Sequence, residues 1–253
     1  MDYTTQTINI KNEITGNVIV NIYHLILSDY KEILKIVDDE IVNIYGLNYG
    51  YSLNIVKKSI YNNIKNKSDK QKYGICAEFF MHLFLKTLGY KQKFVFSNLE
   101  ENSMKKGFDG FYELNKNFWI AESKCAIKAN LKHKDKINEA LKDIDTKVSN
   151  TNGNNPWENA YNHLIISQIG EKNESLSKKV LDLSKDYINN ISHKSSEFNL
   201  IPTSTLFINN DQKDEDIKSE IEKVLEGRQI KAMIVLCINN DIYNEFINYL
   251  QGV

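Results

Sequence analysis

The stretch GFDGFYELNKNFWIAESK, Gly107–Lys124, consists of two apolar runs joined by the polar pair Asn115–Lys116. Both runs have the length and residue types of short strands, so they predict a β-hairpin with a two-residue turn. In that register Asp109 lies opposite Glu122, with Cβ atoms about 4.5 to 5.5 Å apart on one face of the sheet. A three-residue loop would make the pairing diagonal and would still keep the two carboxylates as neighbours. The hairpin therefore predicts two like charges where a core strand ends.

The strand that carries Glu122 is apolar on both faces before the charges begin, a pattern typical of a strand that is buried on both sides. A carboxylate pair there suffers desolvation and repulsion, which raise one pKa unless a divalent cation holds both groups. Mg²⁺ takes one or two carboxylates and lowers the pKa of a bound water. Lys124 points the same way and is placed to orient that water or to stabilise charge at phosphorus. We predict Asp109 and Glu122 as metal ligands and Lys124 as a catalytic residue.

A purely structural interpretation of these charges stays open at this point. The Glu-x-Lys pattern is common, and Glu122 and Lys124 also fit an exposed strand end. Gly107 and Gly110 flank Asp109 and favour a site, because glycine permits close approach of a ligand or of another backbone. Glu78, an acid on an apolar helix, either belongs to this site or is solvated.

Apolar periodicity along the chain predicts a mixed α/β fold. The predicted helices are Ser28–Tyr45, Leu53–Ile64, Tyr73–Leu88, Ala126–Val148, Ala160–Ile169, Leu176–Ile191, Asp214–Leu225 and Ile242–Leu250. The predicted strands are one or two within Ile8–Tyr23, then Lys93–Ser97, Phe108–Leu114, Phe118–Ser123, Ser204–Ile208 and Lys231–Ile238, and Ser149–Asn159 is predicted to be a loop. The polar segment Lys65–Lys72 suggests a boundary between an N-terminal α/β extension, residues 1–66, and a main domain, residues 67–253.

The charge balance is close to neutral, with a formal net charge of -1 over 253 residues. Binding to a phosphate backbone normally uses surplus lysine and arginine, so this chain would bind DNA weakly on its own. If the chain contacts a nucleic-acid backbone such as DNA, Lys128, Lys132, Lys134 and Lys136 are the predicted local contacts. Each of these lysines also fits a solvated helix face.

Several classes of protein are disfavoured by missing motifs. The three cysteines form no CxxC pair and the five histidines form no HExxH motif, which argues against a disulfide framework and a zinc hydrolase. The GxxxxGK[ST] phosphate loop is also missing, so ATP hydrolysis would have to come from a partner. The apolar runs are far shorter than a membrane span and the N-terminus lacks a signal-peptide pattern, so we expect a cytoplasmic protein without membrane contact.

A helix with Glu78, a strand with Asp109 and a hairpin strand that ends in Glu122-x-Lys124 resemble the PD-(D/E)xK nuclease superfamily. GFDG, followed by AESK and a long helix, is similar to the HamA nuclease subunits of the Hachiman anti-phage system and to their AbpA relatives. The resemblance covers about Tyr73–Val148 and implies a restriction-endonuclease-like core of a helix, a three-stranded antiparallel meander, a helix and further strands, with added helices. It also implies that Asp109 and Glu122 bind the metal, that Lys124 is the catalytic lysine, and that Glu78 assists the metal or the water.

The resemblance implies a function of antiviral defence in bacteria. The chain would be a metal-dependent DNA nuclease subunit, a phosphodiester hydrolase that uses Mg²⁺ or Mn²⁺. Its partners would be DNA and a HamB-like helicase subunit that holds and controls the nuclease. Two alternatives stay open: a catalytically inactive docking subunit of a helicase complex, and a metal-dependent RNase.

Overall fold

The computed structural model describes residues 1–12, 16–46, 50–96, 107–150, 155–167, 174–207 and 212–252. Within these ranges the chain forms one seven-stranded mixed sheet and eight α-helices, which confirms the predicted α/β class. The strands are β1 (Tyr3–Asn12), β2 (Gly16–Leu27), β3 (Lys91–Gln92), β4 (Gly110–Leu114), β5 (Asn117–Ala126), β6 (Asn199–Leu206) and β7 (Ala232–Asn240). The helices are α1 (Tyr30–Tyr45), α2 (Leu53–Ile64), α3 (Asp69–Thr87), α4 (His133–Val148), α5 (Pro156–Ser167), α6 (Glu174–Ile188), α7 (Asp214–Leu225) and α8 (Tyr243–Gln251).

The strands lie in the order β1-β2-β7-β6-β5-β4-β3. The four central strands β2, β7, β6 and β5 run parallel to one another, and the pairings at both edges are antiparallel. β3, β4 and β5 form an antiparallel meander at one edge of the sheet. Because β2 is paired with β7, the sheet continues across the boundary suggested near residue 66.

Helices cover both faces of the sheet and create two hydrophobic cores. We call the side that packs against α4, α5, α6 and α7 the α4 face, and the side that packs against α1, α2, α3 and α8 the α3 face. Successive side chains of a strand alternate between the two faces. On β5, Phe118 and Ile120 belong to the core of the α4 face and Ala121 to that of the α3 face. Glu122 and Lys124 therefore continue the row that points toward α4.

The hairpin between β4 and β5 has the predicted register. Its pairs run from Gly110↔Ala121 to Leu114↔Asn117, so the turn consists of two residues. Asn115 and Lys116 have positive φ angles of 50° and 63°, which is the backbone of a type I′ turn. This turn matches the twist of the flanking strands, so it fixes the register although Asn-Lys is a weaker turn sequence than Asn-Gly.

Three predicted elements differ from the structure. Lys93–Phe96 is not a strand; Phe94 and Val95 are buried, and the strand that pairs with β4 at this edge is β3, just before the predicted element. α4 begins at His133 instead of Ala126, because β5 extends to Ala126 and pairs with β6 along its whole end. α5 begins at Pro156, inside the predicted loop, where proline suits the first helical position.

The remaining predicted helices and strands are confirmed, with shifts of a few residues at their ends. α2 and α7 begin and end as predicted. The predicted element ends at Ser97, Ile169 and Ile208, and residues 13–15 and 151–154, lie outside the described residues.

Candidate active site

Asp109 and Glu122 meet where β4 begins, on the α4 face. Asp109 directly precedes β4, and its Oδ2 accepts a hydrogen bond of 2.8 Å from the backbone N–H of Ser123. Glu122 lies on β5 and is only 1% exposed. The two carboxylates interact, since the charge of Asp109 raises the pKa of Glu122. The structure thus brings together the two residues that the sequence predicts as metal ligands.

Each carboxylate oxygen of Glu122 faces a different lysine. Lys124 Nζ lies 2.9 Å from Glu122 Oε1 and 2.5 Å from Asp143 Oδ2. Lys147 Nζ lies 2.6 Å from Glu122 Oε2. The four residues Glu122, Lys124, Asp143 and Lys147 form what we call the charge ladder, because its two rungs join β5 to α4.

The two rungs have matching spacings on the strand and on the helix. Two residues along a strand span about 6.7 Å. Four residues along an α-helix span about 6 Å. Glu122 and Lys124 are two residues apart on β5, and Asp143 and Lys147 are four residues apart on α4. Because the contacts pair Glu122 with Lys147 and Lys124 with Asp143, helix and strand run in opposite directions and opposite charges meet at both rungs.

The pKa shifts follow from burial and from these contacts. Burial raises the pKa of Glu122, and the charge of Asp109 adds to this, while Lys147 and Lys124 oppose it. Burial would lower the pKa of Lys124, but the charges of Glu122 and Asp109 and the hydrogen bonds to Asp143 and Glu122 raise it. Lys124 is therefore an ammonium ion at neutral pH.

Glu78 lies on the other side of the sheet, on α3. Its Oε1 is 3.7 Å from His82 Nε2, and His82 Nδ1 is 2.5 Å from the hydroxyl of Tyr112. Burial raises the pKa of Tyr112, and the charges of Glu78 and Asp109 raise it further, so both carboxylates lie near this hydroxyl. The ring of Tyr112 lies against Gly110, next to Asp109. Glu78 thus reaches the site region from the α3 face and does not join the charge ladder.

The glycines on either side of Asp109 make room for side chains of the chain itself. A Cβ atom on Gly110 would lie 2.6 Å from Cε2 of Tyr112, and one on Gly107 would lie 2.7 Å from Oδ1 of Asn159. Neither separation is tolerable for a real Cβ atom. The close approach that we inferred from these glycines is therefore made by Tyr112 and Asn159 in the structure.

The donor set of the site suits a hard cation. Mg²⁺ binds through one or two carboxylates and keeps several waters, and Asp109 and Glu122 offer two. Among the described residues, no group of three or more histidine, cysteine, aspartate or glutamate residues is arranged to hold a metal ion. A cation at this pair would use the oxygens of Asp109 and Glu122, and it would meet the two lysines that now compensate Glu122.

The lysines predicted to contact DNA are mostly engaged in ion pairs. Lys132 and Lys134 lie 2.6 and 3.4 Å from Oε1 of Glu220. Lys136 lies 2.6 Å from Oε2 of Glu139. Lys128 is exposed in the connection before α4. This patch therefore carries less uncompensated charge than its lysine content indicates.

Asp143 and Lys147 were not found from the sequence. One feature of the sequence could have indicated them. They lie at i and i+4 on α4, beside its apolar stripe, which includes the buried Ala140, Ile144 and Val148. Charges at this spacing usually mark a solvated helix surface, which is how the sequence would be interpreted without a known partner strand.

A second polar cluster, the histidine network, lies at the other end of α4. His133 is fully buried, with Nδ1 2.9 Å from Ser204 Oγ and Nε2 2.7 Å from Asn239 Oδ1. The ring of His24 contacts that of His133 edge to face. Burial lowers the pKa of His133 to about 3, against the opposing effect of the bond to Asn239. His133 is therefore neutral at physiological pH.

Comparison with known proteins gives no family assignment, since no protein-family model and no curated protein sequence matches the chain. In the described ranges, no helix combines the length and the apolar character that crossing a bilayer requires. The function is therefore inferred from the geometry of the site together with the motif resemblance.

Proposed function

We propose that this chain is a Mg²⁺- or Mn²⁺-dependent DNA nuclease with a PD-(D/E)xK core. The observation that carries the proposal is the β4–β5 hairpin, whose register gathers Asp109, Glu122 and Lys124 on one face. A carboxylate that is 1% exposed, beside a second carboxylate, is costly unless a cation uses it. Perturbed carboxylates of this kind are typical of functional sites.

Asp109 and Glu122 are the residues that would hold the metal ion. When bound, such an ion acts as a Lewis acid on a phosphodiester and lowers the pKa of a water that attacks phosphorus. The backbone N–H of Ser123 fixes the orientation of Asp109 through its Oδ2. Phe118 and Ile120, below Glu122 on the same face, are buried and keep solvent away from one side of the site.

Lys124 would act as the catalytic lysine by its charge. Its ammonium group is held between Glu122 and Asp143, so its position is restrained from two sides. A preorganised cation stabilises the negative charge that develops on a phosphate in the transition state. Asp143 then serves as a positioning residue for Lys124.

The biological setting that we propose is bacterial anti-phage defence, in the cytoplasm, with a helicase partner. A net charge of -1 provides little nonspecific attraction to DNA, and the sequence has no P-loop. A partner motor would therefore load the nuclease onto DNA and control it. This setting rests on the motif resemblance.

A non-catalytic docking subunit is the second candidate, and one observation favours it. Both oxygens of Glu122 are already bound by lysines, as in an ion-pair network that only holds α4 against β5. In that case Glu122 would be a structural group and the chain would serve its helicase as a docking surface.

Cleavage of supercoiled plasmid by the purified chain distinguishes the two candidates. We would compare the wild type with Glu122→Gln, in Mg²⁺, in Mn²⁺ and in EDTA, with and without a HamB-like helicase. Lys142→Met is the matched control, since Lys142 is exposed on α4. We expect cleavage by the wild type and the control that requires metal and that Glu122→Gln abolishes. No cleavage under any of these conditions would contradict the proposal and favour the docking subunit. Cleavage that survives Glu122→Gln would contradict the assignment of Glu122 as a metal ligand.

A parallel reaction with a single-stranded RNA of matched length tests the RNase alternative. We expect the plasmid to be cut and the RNA to stay intact in the same metal. The reverse preference would assign the site to RNA.

A further inference from the structure

Lys147 makes a contact that the Glu-x-Lys motif does not explain. Its Nζ lies 2.6 Å from Oε2 of Glu122, and the side chains of the two residues are 15% and 2% exposed. The lysine comes from α4, 25 residues after Glu122 in the chain. A buried ion pair of this kind contributes little net stability compared with apolar residues of the same size.

The two lysines at Glu122 are held differently. Lys124 is bound by Glu122 and by Asp143, so it has a second carboxylate to retain it. In the described part of the chain, the ion pair that holds Lys147 is the one with Glu122. A divalent ion shared by Asp109 and Glu122 needs a carboxylate oxygen of Glu122. Displacing Lys147 from Oε2 leaves both contacts of Lys124 intact, so Lys124 stays held between Glu122 and Asp143.

Resting on the proposed function, we propose that Lys147 is a positioning residue that occupies Oε2 of Glu122 in the metal-free protein and that a divalent cation displaces it. In the resting protein Lys147 compensates a buried carboxylate, which would otherwise be costly to keep charged. A divalent cation held by Asp109 and Glu122 would take the place of this ammonium group at Oε2. The released ammonium group would stay on α4, close to Glu122.

Direct measurement of Mn²⁺ binding by calorimetry tests this exchange without any cleavage assay. Wild type, Lys147→Gln and Lys147→Met would be compared with the exposed control Lys142→Met, and Asp109→Asn would verify the binding site. A neighbouring positive charge lowers the affinity of a carboxylate for a proton by about one to three powers of ten, and it should weaken the binding of a metal cation in the same direction. We therefore expect Lys147→Met to bind Mn²⁺ about tenfold more tightly than the wild type. Lys147→Gln should lie between it and the wild type. Binding by Lys147→Met that is equal to or weaker than that of the wild type would overturn the proposal.

A labelling experiment on the wild type avoids variants that fail to fold. An ammonium group in a buried ion pair reacts slowly with an amine-acetylating reagent, whereas a released one reacts faster. We expect the acetylation rate of Lys147, measured by mass spectrometry, to rise as Mg²⁺ saturates the site, with Lys142 unchanged. A rate at Lys147 that stays constant or falls at saturating metal would contradict displacement.

The results separate this inference from the proposed function. If the wild type binds Mn²⁺ and Lys147→Met binds it equally well, the exchange is wrong and the nuclease proposal stands. If Lys147→Met binds Mn²⁺ more tightly but plasmid is never cut, the exchange holds and the nuclease proposal fails. If neither protein binds Mn²⁺, both fail.

Discussion

Helix α4 places polar side chains against the sheet at both of its ends, and it does so in two different ways. Near its N-terminus, His133 is neutral and its two ring nitrogens are satisfied by Ser204 and Asn239. Near its C-terminus, Asp143 and Lys147 belong to the charge ladder. Both clusters lie on the α4 face, against strands of the same sheet.

The two clusters differ in what it costs to bury them. A buried neutral network is cheap when its hydrogen bonds are made, and burial keeps His133 uncharged by lowering its pKa to about 3. A buried charge costs several kcal/mol and is compensated only with good geometry. The charge ladder keeps charged side chains where apolar residues of similar size would cost less free energy of folding. This supports the proposal that these charges serve a function other than stability.

The largest expected difference between the charge ladder and the histidine network is in the rate of plasmid cleavage. Lys124→Met removes a preorganised cation and should lower the plasmid cleavage rate about 10² to 10³-fold. Ser204→Ala, in the histidine network, should leave the rate per folded molecule unchanged. The rates would be measured at saturating Mg²⁺ and corrected for the folded fraction by circular dichroism. A similar loss in both variants would mean that the two ends do not differ in function.

The next effect is on stability at the neutral end. His133→Leu removes two hydrogen bonds and leaves buried polar atoms of Ser204 and Asn239 without the histidine, which should cost about 2 to 5 kcal/mol. His193→Leu is the control, because His193 forms partly exposed ion pairs and should cost about 1 kcal/mol or less. Urea unfolding at pH 7 measures both. Equal losses in the free energy of unfolding would show that the buried histidine network stabilises the fold no more than an exposed histidine does.

A double-mutant cycle sharpens the contrast between buried and exposed charges. Glu122→Gln and Lys147→Gln, singly and together, should give a coupling energy of about 2 kcal/mol in the free energy of unfolding. The cycle Asp182→Asn with Lys185→Gln, on the exposed pair of α6, should give about 0.3 kcal/mol. A coupling energy at Glu122–Lys147 as small as that of the α6 pair would show that Glu122 and Lys147 do not form a strong ion pair in the folded protein.

The last effect is a pH dependence of stability that belongs to His133. Its pKa is lowered to about 3, mainly by burial, so between pH 6.5 and 3 the unfolded chain binds a proton that the folded chain does not. Stability therefore falls as the pH decreases through this window, by up to about 1.4 kcal/mol per pH unit. His133→Asn should remove this contribution, while the neighbouring His24 and Glu220 remain. Urea unfolding at pH 7, 6 and 5 gives the two slopes, and parallel slopes would contradict the assignment.

Local patterns made much of the fold predictable from the sequence. The hairpin register follows from the two-residue turn Asn115–Lys116 and the short apolar runs beside it, and it places Asp109 near Glu122. α2 and α7 follow from apolar spacing, which is a property of the segment alone. The neighbourhood of the two carboxylates could therefore be predicted, although the identity of the site as a nuclease stays a prediction.

Contacts between distant segments explain what the sequence could not predict. The pairing of β2 with β7 joins segments about 200 residues apart, and nothing in the sequence of either strand indicates which strand it pairs with. Lys147 becomes part of the site only because α4 runs antiparallel to β5 at a matching spacing. The observed start of α4 lies after the predicted one for the same reason, because pairing with β6 keeps Cys125 and Ala126 in β5.

An anomalous difference map from crystals soaked in Mn²⁺ tests the central claim most directly. The account predicts a Mn²⁺ peak between the carboxylates of Asp109 and Glu122, with Lys124 still beside Glu122 and Lys147 moved away from Oε2. A well-ordered site without a Mn²⁺ peak, in crystals where Lys147 remains on Glu122, would contradict it.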